Sequence, residues 1–152
     1  MNNKYVVFNI MIKKILSHSI KAGLLLLLFI LSSCNTALYF DQYAYKESIS
    51  VKFEALSLMD QATEDYSKHK EKAQEVRLSM LKIYEYEKYR PNNEESTKMW
   101  ALMLNPEKNL FQGFLKRWQD KSRMSEIFIK EAKFQMEEAF DIIIGFEKKK
   151  IK

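Results

Sequence analysis

The sequence has 152 residues, of which 47% are hydrophobic and 30% charged, with 3 glycines, 2 prolines and 1 cysteine. This length allows one ordinary domain and leaves no room for a multidomain enzyme. The apolar content argues against a disordered or collagenous chain, and so few turn-forming residues argue against a β-sandwich or barrel. The single cysteine excludes an internal disulfide framework and a multi-cysteine zinc or iron–sulfur site.

The net charge of +5 comes from the two ends of the sequence. Residues 1–33 contain four lysines and no acidic residue, and residues 148–152 contain four more lysines. The intervening residues 34–147 hold 17 basic and 20 acidic side chains, a net charge of −3. A nucleic-acid-binding domain carries a basic patch on its folded body. We therefore expect no nucleic-acid partner.

Residues 1–33 have the zones of a secretory signal peptide. A basic zone with Lys13, Lys14 and Lys21 precedes the apolar residues 22–31, and small residues follow. This order is typical of export signals that are removed from the mature protein. The apolar zone is also shorter than the roughly 20 residues that a membrane-spanning helix needs.

The segment ends in Leu31-Ser32-Ser33-Cys34, which resembles the lipobox of bacterial lipoproteins over residues 11–34. The resemblance implies cleavage between Ser33 and Cys34, a diacylglycerol on the Cys34 sulfur, and an N-acyl chain such as palmitate on the new amino group. Two or three acyl chains give stable membrane anchoring, whereas one gives only marginal binding. The alternative is a free Cys34 in an ordinary secretory signal or in an uncleaved anchor.

The same resemblance predicts where the protein is sorted. Asn35, rather than an aspartate, follows Cys34, which implies the outer membrane. Residues 35–39 lack the acidic side chains of surface-displayed lipoproteins, which favours the periplasmic face. The predicted organisation is a signal peptide over 1–33, a lipidated tether over 34–40, a helical bundle over 41–147 and a basic tail over 148–152. The tether spans at most about 20 Å, so the bundle should lie close to the lipid.

The mature sequence predicts an all-α, up-and-down bundle of three or four helices. Apolar residues at spacings of three and four predict a first helix over 41–67. Its expected face is Tyr45, Ile49, Phe53, Leu56, Met59, Ala62 and Tyr66. A second helix is predicted over 70–89, with core residues Ala73, Val76, Met80 and Ile83. No glycine or proline separates the two, so one long helix is an alternative.

Two proline-containing breaks and a serine divide the rest of the chain. Arg90-Pro91-Asn92-Asn93 ends the second helix and makes Asn93 the N-cap of the third. Asn105-Pro106-Glu107 predicts a restart with Pro106 at the first helical position. Ser125 is expected to cap the last helix, whose core stripe is Ile129, Ala132, Met136, Ala139, Ile143 and Phe146.

The sequence carries no pattern of residues that indicates catalysis or metal binding. His69 is the only histidine after Cys34, and Glu64 and Asp65 lie within about one helical turn of it. Transition-metal sites usually need two or more histidine or cysteine ligands. One acidic cluster on the last helix avoids the core stripe and should be solvated: Glu137, Glu138 and Asp141. We expect no catalytic residue, no metal and no cofactor other than the acyl chains.

Two aromatic groups are candidate binding surfaces. One lies next to the lipidated cysteine and is a candidate membrane contact, because tyrosine and phenylalanine suit the headgroup level: Tyr39, Phe40 and Tyr43. The other ends the second helix and is a candidate partner-binding site, because tyrosine and arginine are enriched at binding hot spots: Tyr84, Tyr86, Tyr89 and Arg90. The alternatives are that these rings pack the end of the bundle or widen its core. The basic tail could contact anionic headgroups or be a frayed soluble end.

These features predict a lipid-anchored, non-enzymatic cell-envelope protein. Its acyl chains would hold the bundle near the membrane, and one exposed helical face would dock another envelope protein. The alternative is a carrier of small apolar ligands or lipids, with a cavity between helices. An enzyme is the third hypothesis, and it would require a dense cluster of buried, convergent polar groups.

Overall fold

The computed structural model describes residues 39–150, which form five α-helices and no strand. This confirms the predicted all-α fold class. None of these helices is both long and apolar enough to cross a membrane. The predicted signal peptide, the cleavage site at Ser33 and Cys34, and residues 151–152 lie outside the described residues. The helices are α1 (Gln42–Asp60), α2 (Lys70–Lys88), α3 (Glu94–Met103), α4 (Phe111–Lys121) and α5 (Glu126–Lys148).

The long helices run up and down. The Tyr86 hydroxyl on α2 donates to Asp41 at the start of α1, and the Asp41 N–H donates to Glu147 at the end of α5. At the other end of α1, Lys133 of α5 donates to Asp60. Therefore α1 is antiparallel to both α2 and α5. We call the end with Asp41 the tether end, because residues 34–40 precede it, and the opposite end the far end.

The short helices α3 and α4 together take the place of one interrupted helix. Trp100 of α3 packs edge-on against Phe140 in the middle of α5, with ring centroids 6.1 Å apart. Trp118 of α4 packs edge-on against Tyr66 at the far end, with ring centroids 5.4 Å apart. The helices α3 and α4 thus lead the chain, one after the other, from the tether end to the far end. The result is a four-helix bundle whose third helix is broken.

The break between α3 and α4 is longer than the sequence predicted. The predicted restart at Pro106 is wrong, because α4 begins at Phe111. The Asn105 side chain accepts the Glu107 N–H at 2.8 Å and holds a turn there. The loop then passes so close to α4 that a Cβ at Gly113 would lie 1.8 Å from the Lys108 carbonyl oxygen. Only glycine admits this approach.

The first helix is shorter than predicted. It ends at Asp60 rather than at 67, and two 3₁₀ turns follow, Gln61–Thr63 and Tyr66–Lys68. Asp65 between them accepts the Ser67 N–H at 2.9 Å, a local bond that competes with helix continuation. The alternative of one long helix through 89 is therefore wrong.

The predicted face of α1 is also wrong in its first half. Phe53 is 67% exposed, and Tyr45 and Ile49 are only half-buried. The buried positions there are the smaller residues Ala44, Ser48, Val51 and Ala55. Small side chains let α1 approach α2 and α5 closely, so packing overrides the pattern of the larger apolar residues. Leu56, Met59 and Ala62 are buried as predicted.

The stripes predicted for α2 and α5 form the core. All four predicted residues of α2 are buried, as are Ile129, Met136, Ala139 and Ile143 of α5. Ala132 and Phe146 are partly buried. Together with Phe140 of α5 itself, large, fully buried side chains of α3 and α4 join these stripes: Trp100, Phe111 and Trp118. Each such side chain contributes about 2 kcal/mol or more through the hydrophobic effect.

Candidate functional site

Two glutamates continue the core stripes into the tether end. Glu87 lies one helical turn after the buried Ile83 on α2, and Glu147 lies one turn after the buried Ile143 on α5. A spacing of four keeps each carboxylate on the buried face, and each residue is only 1% exposed. Sequence reasoning missed both. Extending each stripe by four residues is the signal that could have found them.

Arg90 lies between these two carboxylates. Its Nη1 donates to Glu87 Oε1 and to Glu147 Oε1, both at 2.8 Å. Its Nη2 donates to Glu147 Oε2 at 3.2 Å, so Glu147 is held by both arms of the guanidinium. Such two-armed pairs fix geometry as well as charge. Arg90 thus joins the ends of α2 and α5.

The same arginine holds the tether. Arg90 Nη2 donates to the Tyr39 carbonyl oxygen at 3.0 Å, and Arg90 Nε lies 3.7 Å from Asp41 Oδ2. The Tyr86 hydroxyl donates to Asp41 Oδ2 at 2.6 Å. Asp41 also accepts the Ala44 N–H at 2.9 Å and so caps α1. Residues 39–41 are therefore attached to the bundle by Tyr86 of α2 and by Arg90, which follows that helix.

Lys150 completes the cluster. Its Nζ pairs with Glu147 and donates to Asn93 Oδ1 at 2.5 Å, which ties α5 to the start of α3. The residue is buried, so the predicted basic tail over 148–152 is wrong in its first part: Lys148 ends α5 and Lys150 packs into the fold. We call Asp41, Glu87, Arg90, Glu147 and Lys150 the buried ion network.

The network perturbs the pKa values of its members. Burial raises the pKa of Glu87, although the charge of Arg90 opposes this. Burial would also raise the pKa of Asp41, but hydrogen bonds from Tyr86 and Ala44 and the charge of Arg90 together lower it. The hydrogen bond to Asp41 raises the pKa of Tyr86. As the pH falls, Glu87 therefore takes up a proton before Asp41 does.

Two buried polar atoms at this end of the bundle have no hydrogen-bond partner within the described chain, Glu87 Oε2 and Asn93 Nδ2. Burying an ionised oxygen without a partner is unfavourable. Protonation of Glu87 removes that penalty, in line with its raised pKa. The network is thus a cluster of buried polar groups, of the kind that the enzyme hypothesis requires. Most of its bonds nevertheless join one helix end to another.

Four tyrosines that lie near this network in sequence or by contact are exposed, and we call them together the tyrosine surface: Tyr39, Tyr43, Tyr86 and Tyr89. Tyr43 and Tyr86 meet edge-on with ring centroids 5.0 Å apart, and Tyr89 is 83% exposed. The surface unites residues from the predicted membrane-contact group with residues from the predicted partner-binding group. Whether it contacts a membrane or a protein stays a prediction.

The remaining residues of those two groups lie elsewhere. Phe40 is half-buried and packs against Tyr45, with ring centroids 5.6 Å apart. Tyr84 is half-buried against the core, with Lys88 Nζ 5.2 Å from its ring centroid. Arg90 is largely occupied by bonds within the chain. Of the four partner-binding candidates, Tyr89 has the most exposed ring.

His69, at the far end, packs against neighbouring side chains at the turn between α1 and α2. His69 Nε2 lies 3.4 Å from Glu64 Oε2, and its ring centroid lies 5.5 Å from that of Trp118. Trp118 Nε1 donates to the Glu64 carbonyl oxygen at 2.9 Å. Within residues 39–150, no group of three or more histidine, cysteine, aspartate or glutamate side chains is arranged to hold a metal ion. The acidic cluster predicted in the middle of the last helix is exposed on α5: Glu137, Glu138 and Asp141.

Three grooves indent the surface away from the network. The first, about 580 Å³, is lined by Asp60, Lys133, Phe134 and neighbours where α1 ends beside α5. The second, about 350 Å³, lies beside Phe53, and the third, about 130 Å³, separates α4 from α5. None of the three is lined by a residue of the buried ion network.

Comparisons with protein-family models, curated proteins and solved structures find no match to this chain.

Proposed function

We propose that this protein is a lipid-anchored, non-enzymatic component of the bacterial cell envelope, held at the periplasmic face of the outer membrane. Acyl chains on Cys34 attach the chain to lipid, and the helical bundle docks another envelope protein. The observation that carries the proposal is the lipobox-like Leu31-Ser32-Ser33-Cys34. Residues 39–41, which follow a few positions later, are bonded to Arg90 and Tyr86 of the bundle.

The attachment of residues 39–41 gives the anchor a mechanical consequence. A freely jointed tether would let the bundle tumble relative to the membrane. Here Arg90 holds the Tyr39 carbonyl and Tyr86 holds Asp41, so the chain is attached to the bundle from Tyr39 onward. The mechanism we propose is positional, because the protein presents a rigid helical face at a set distance from the lipid.

The face we assign to the partner is the outer side of α5. Ile127, Phe134 and Ile142 are each at least half exposed and lie within about 80° of one another around the helix. Exposed Glu131 and Glu138 lie between them on the same face, so the surface we assign to the partner combines apolar and acidic side chains. In-cell photo-crosslinking tests the assignment, with the crosslinker at Phe134 and, as control, at the exposed Gln119 of α4. We expect a discrete crosslinked envelope protein from Phe134 alone; equal patterns from both sites would count against this face.

The anchor itself is tested by Cys34→Ala. We expect this change to move the protein from the membrane fraction to the soluble fraction. Helical content and thermal stability should stay unchanged, since Cys34 precedes the predicted bundle over 41–147 in the sequence. A high-salt wash of both samples separates acyl anchoring from electrostatic adhesion. Retention of the Cys34→Ala protein in the membrane after that wash would refute acyl anchoring.

A carrier of small apolar ligands is a second candidate, favoured by the groove beside Phe53. Its volume of about 350 Å³ is at the lower end for ligand sites, and Leu58 forms part of its wall. A carrier should bind a fluorescent fatty-acid analogue and lose that binding on Phe53→Ser. Phe134→Ser, at another exposed phenylalanine, is the matched control. No saturable binding by the unmodified protein would remove this candidate.

A further inference from the structure

We propose that the tether end of the bundle is seated on the phospholipid surface, with the four rings of the tyrosine surface at the headgroup level. This inference rests on the proposed acylation of Cys34 and adds an orientation to it. The long helices would then stand on the membrane, with the far end directed away. The occupant of the tyrosine surface is the bilayer itself rather than a protein.

The length of the tether limits where the tether end can be. Tyr39 is five residues after Cys34, and five extended residues span at most about 18 Å. The 23 residues of α5 make a helix about 35 Å long. Since Tyr39 is bonded to Arg90, the tether cannot be lengthened without breaking the network. Of the two ends of the bundle, the tether end is therefore the one held next to the acyl chains.

The chemistry of that end suits an interface between water and lipid. Tyrosine has an apolar ring and a polar hydroxyl, and it is enriched where membrane proteins meet the headgroups. Tyr39 and Tyr89 are the most exposed of the four rings, at 75% and 83%. Tyr39 belongs to the tether, and Tyr89 precedes Arg90, which bonds to the Tyr39 carbonyl, so both residues lie where the chain comes from the acylated cysteine.

Charged groups at the same end complement this contact. Lys148 and Lys149 are exposed at the C-terminal end of α5, where they could meet lipid phosphates. Glu95, at the start of α3, is paired with Lys98 at 2.8 Å. Glu94 beside it is an exposed acidic group, which anionic headgroups would repel. The lysines therefore favour this orientation only in part, and the tyrosine rings supply the main contact.

The seating makes a prediction for the proposed docking face. With the tether end on the lipid, α5 rises from the membrane, and its outer residues Ile127 and Phe134 lie toward the far end. A partner could then reach them without displacing lipid. The tyrosine surface and the α5 face thus have separate roles.

Labelling at introduced cysteines tests the seating. Cys34 is the only cysteine of the sequence, and acylation blocks its thiol. Tyr89→Cys in the full chain therefore provides one reactive thiol in the tyrosine surface. Lys121→Cys, at the exposed end of α4 near the far end, is the matched control. Each lipidated protein is labelled with a polarity-sensitive fluorophore and placed in vesicles of phosphatidylethanolamine and phosphatidylglycerol, with or without brominated acyl chains.

We expect brominated lipid to quench the fluorophore at position 89 strongly and the one at position 121 little. Equal, weak quenching at both positions of an acylated, vesicle-bound protein would overturn the seating and leave Tyr89 free for a protein partner. Mass analysis of the same samples keeps the two proposals distinguishable. If Cys34 carries no acyl chain and the protein does not bind vesicles, the proposed anchor fails first.

Discussion

Replacement of Arg90 by alanine is expected to be among the most destabilising single changes in the described chain. Its side chain is 13% exposed and contacts carboxylates that are only 1–2% exposed. Removing one partner of a buried ion pair costs about 3–5 kcal/mol, because the remaining charges are left uncompensated. Glu87 can lower that cost by taking up a proton, since burial already raises its pKa. We therefore expect a loss of about 3 kcal/mol, a large share of the roughly 5–15 kcal/mol that stabilise a typical domain.

Urea unfolding followed by circular dichroism measures this loss, with Arg77→Ala as the matched control. Arg77 is exposed and donates one bond to Gln112 at 3.0 Å, so its removal should cost about 0.5 kcal/mol or less. The deficit of Arg90→Ala should shrink as the pH falls to about 4, because Glu87, whose pKa burial raises, then takes up a proton and is no longer an uncompensated charge. Equal losses from Arg90→Ala and Arg77→Ala at neutral pH would refute the account of the network.

Three further predictions concern single positions. Gly113→Ala should destabilise the bundle by about 3 kcal/mol, because the new Cβ would clash with a backbone carbonyl. The control Gly145→Ala has open space for its Cβ and should stabilise the helix by about 0.5–1 kcal/mol. A thermal melt in which Gly113→Ala is at least as stable as Gly145→Ala would contradict the packing of the loop against α4. Ser122 has φ 61°, so Ser122→Gly should raise the melting temperature; a decrease would show that the serine is not strained. Because the pKa of Glu87 is raised in the fold, the stability that its protonated form contributes is lost as the pH rises through that pKa. In urea unfolding, the free energy of unfolding of Glu87→Gln relative to the unmodified protein should therefore be higher at about pH 7 than at about pH 4. The opposite trend would show that Glu87 is held as a carboxylate.

The sequence predicted the elements whose signals are local. The stripes of α2 and α5 have strict spacing, and Ser125 caps α5 by accepting the Phe128 N–H at 3.3 Å. The proline break after Arg90 is also where the sequence placed it. Each of these depends on residues within one or two turns of each other, which is the range that periodicity and capping rules cover.

What the sequence did not predict depends on contacts between distant segments. Phe53 is exposed because smaller residues of α1 fit between α2 and α5, and the pattern of α1 alone does not contain that information. Glu87 and Glu147 are 60 residues apart in the chain, and Arg90 makes their burial tolerable. The burial of a glutamate at a core position cannot be predicted from the sequence until its cationic partner is known.

The candidate site shows the same division. The sequence separately identified the aromatic residues near Cys34 and those at the end of α2. Their union in one tyrosine surface follows from the antiparallel packing of α1 and α2 and from the bond between Tyr86 and Asp41. Periodicity marks which residues share a helix face, but only the tertiary fold brings the faces of two helices together.

The most direct test of the account is mass spectrometry of the N-terminal peptide of the protein isolated from bacterial membranes. We predict a mature chain that begins at Cys34, with a diacylglycerol on the sulfur and an added N-acyl chain. A chain that still carries residues before Cys34, or one that begins at an unmodified Cys34, would contradict the lipid anchor. The orientation proposed for the tether end would then lose its physical basis as well.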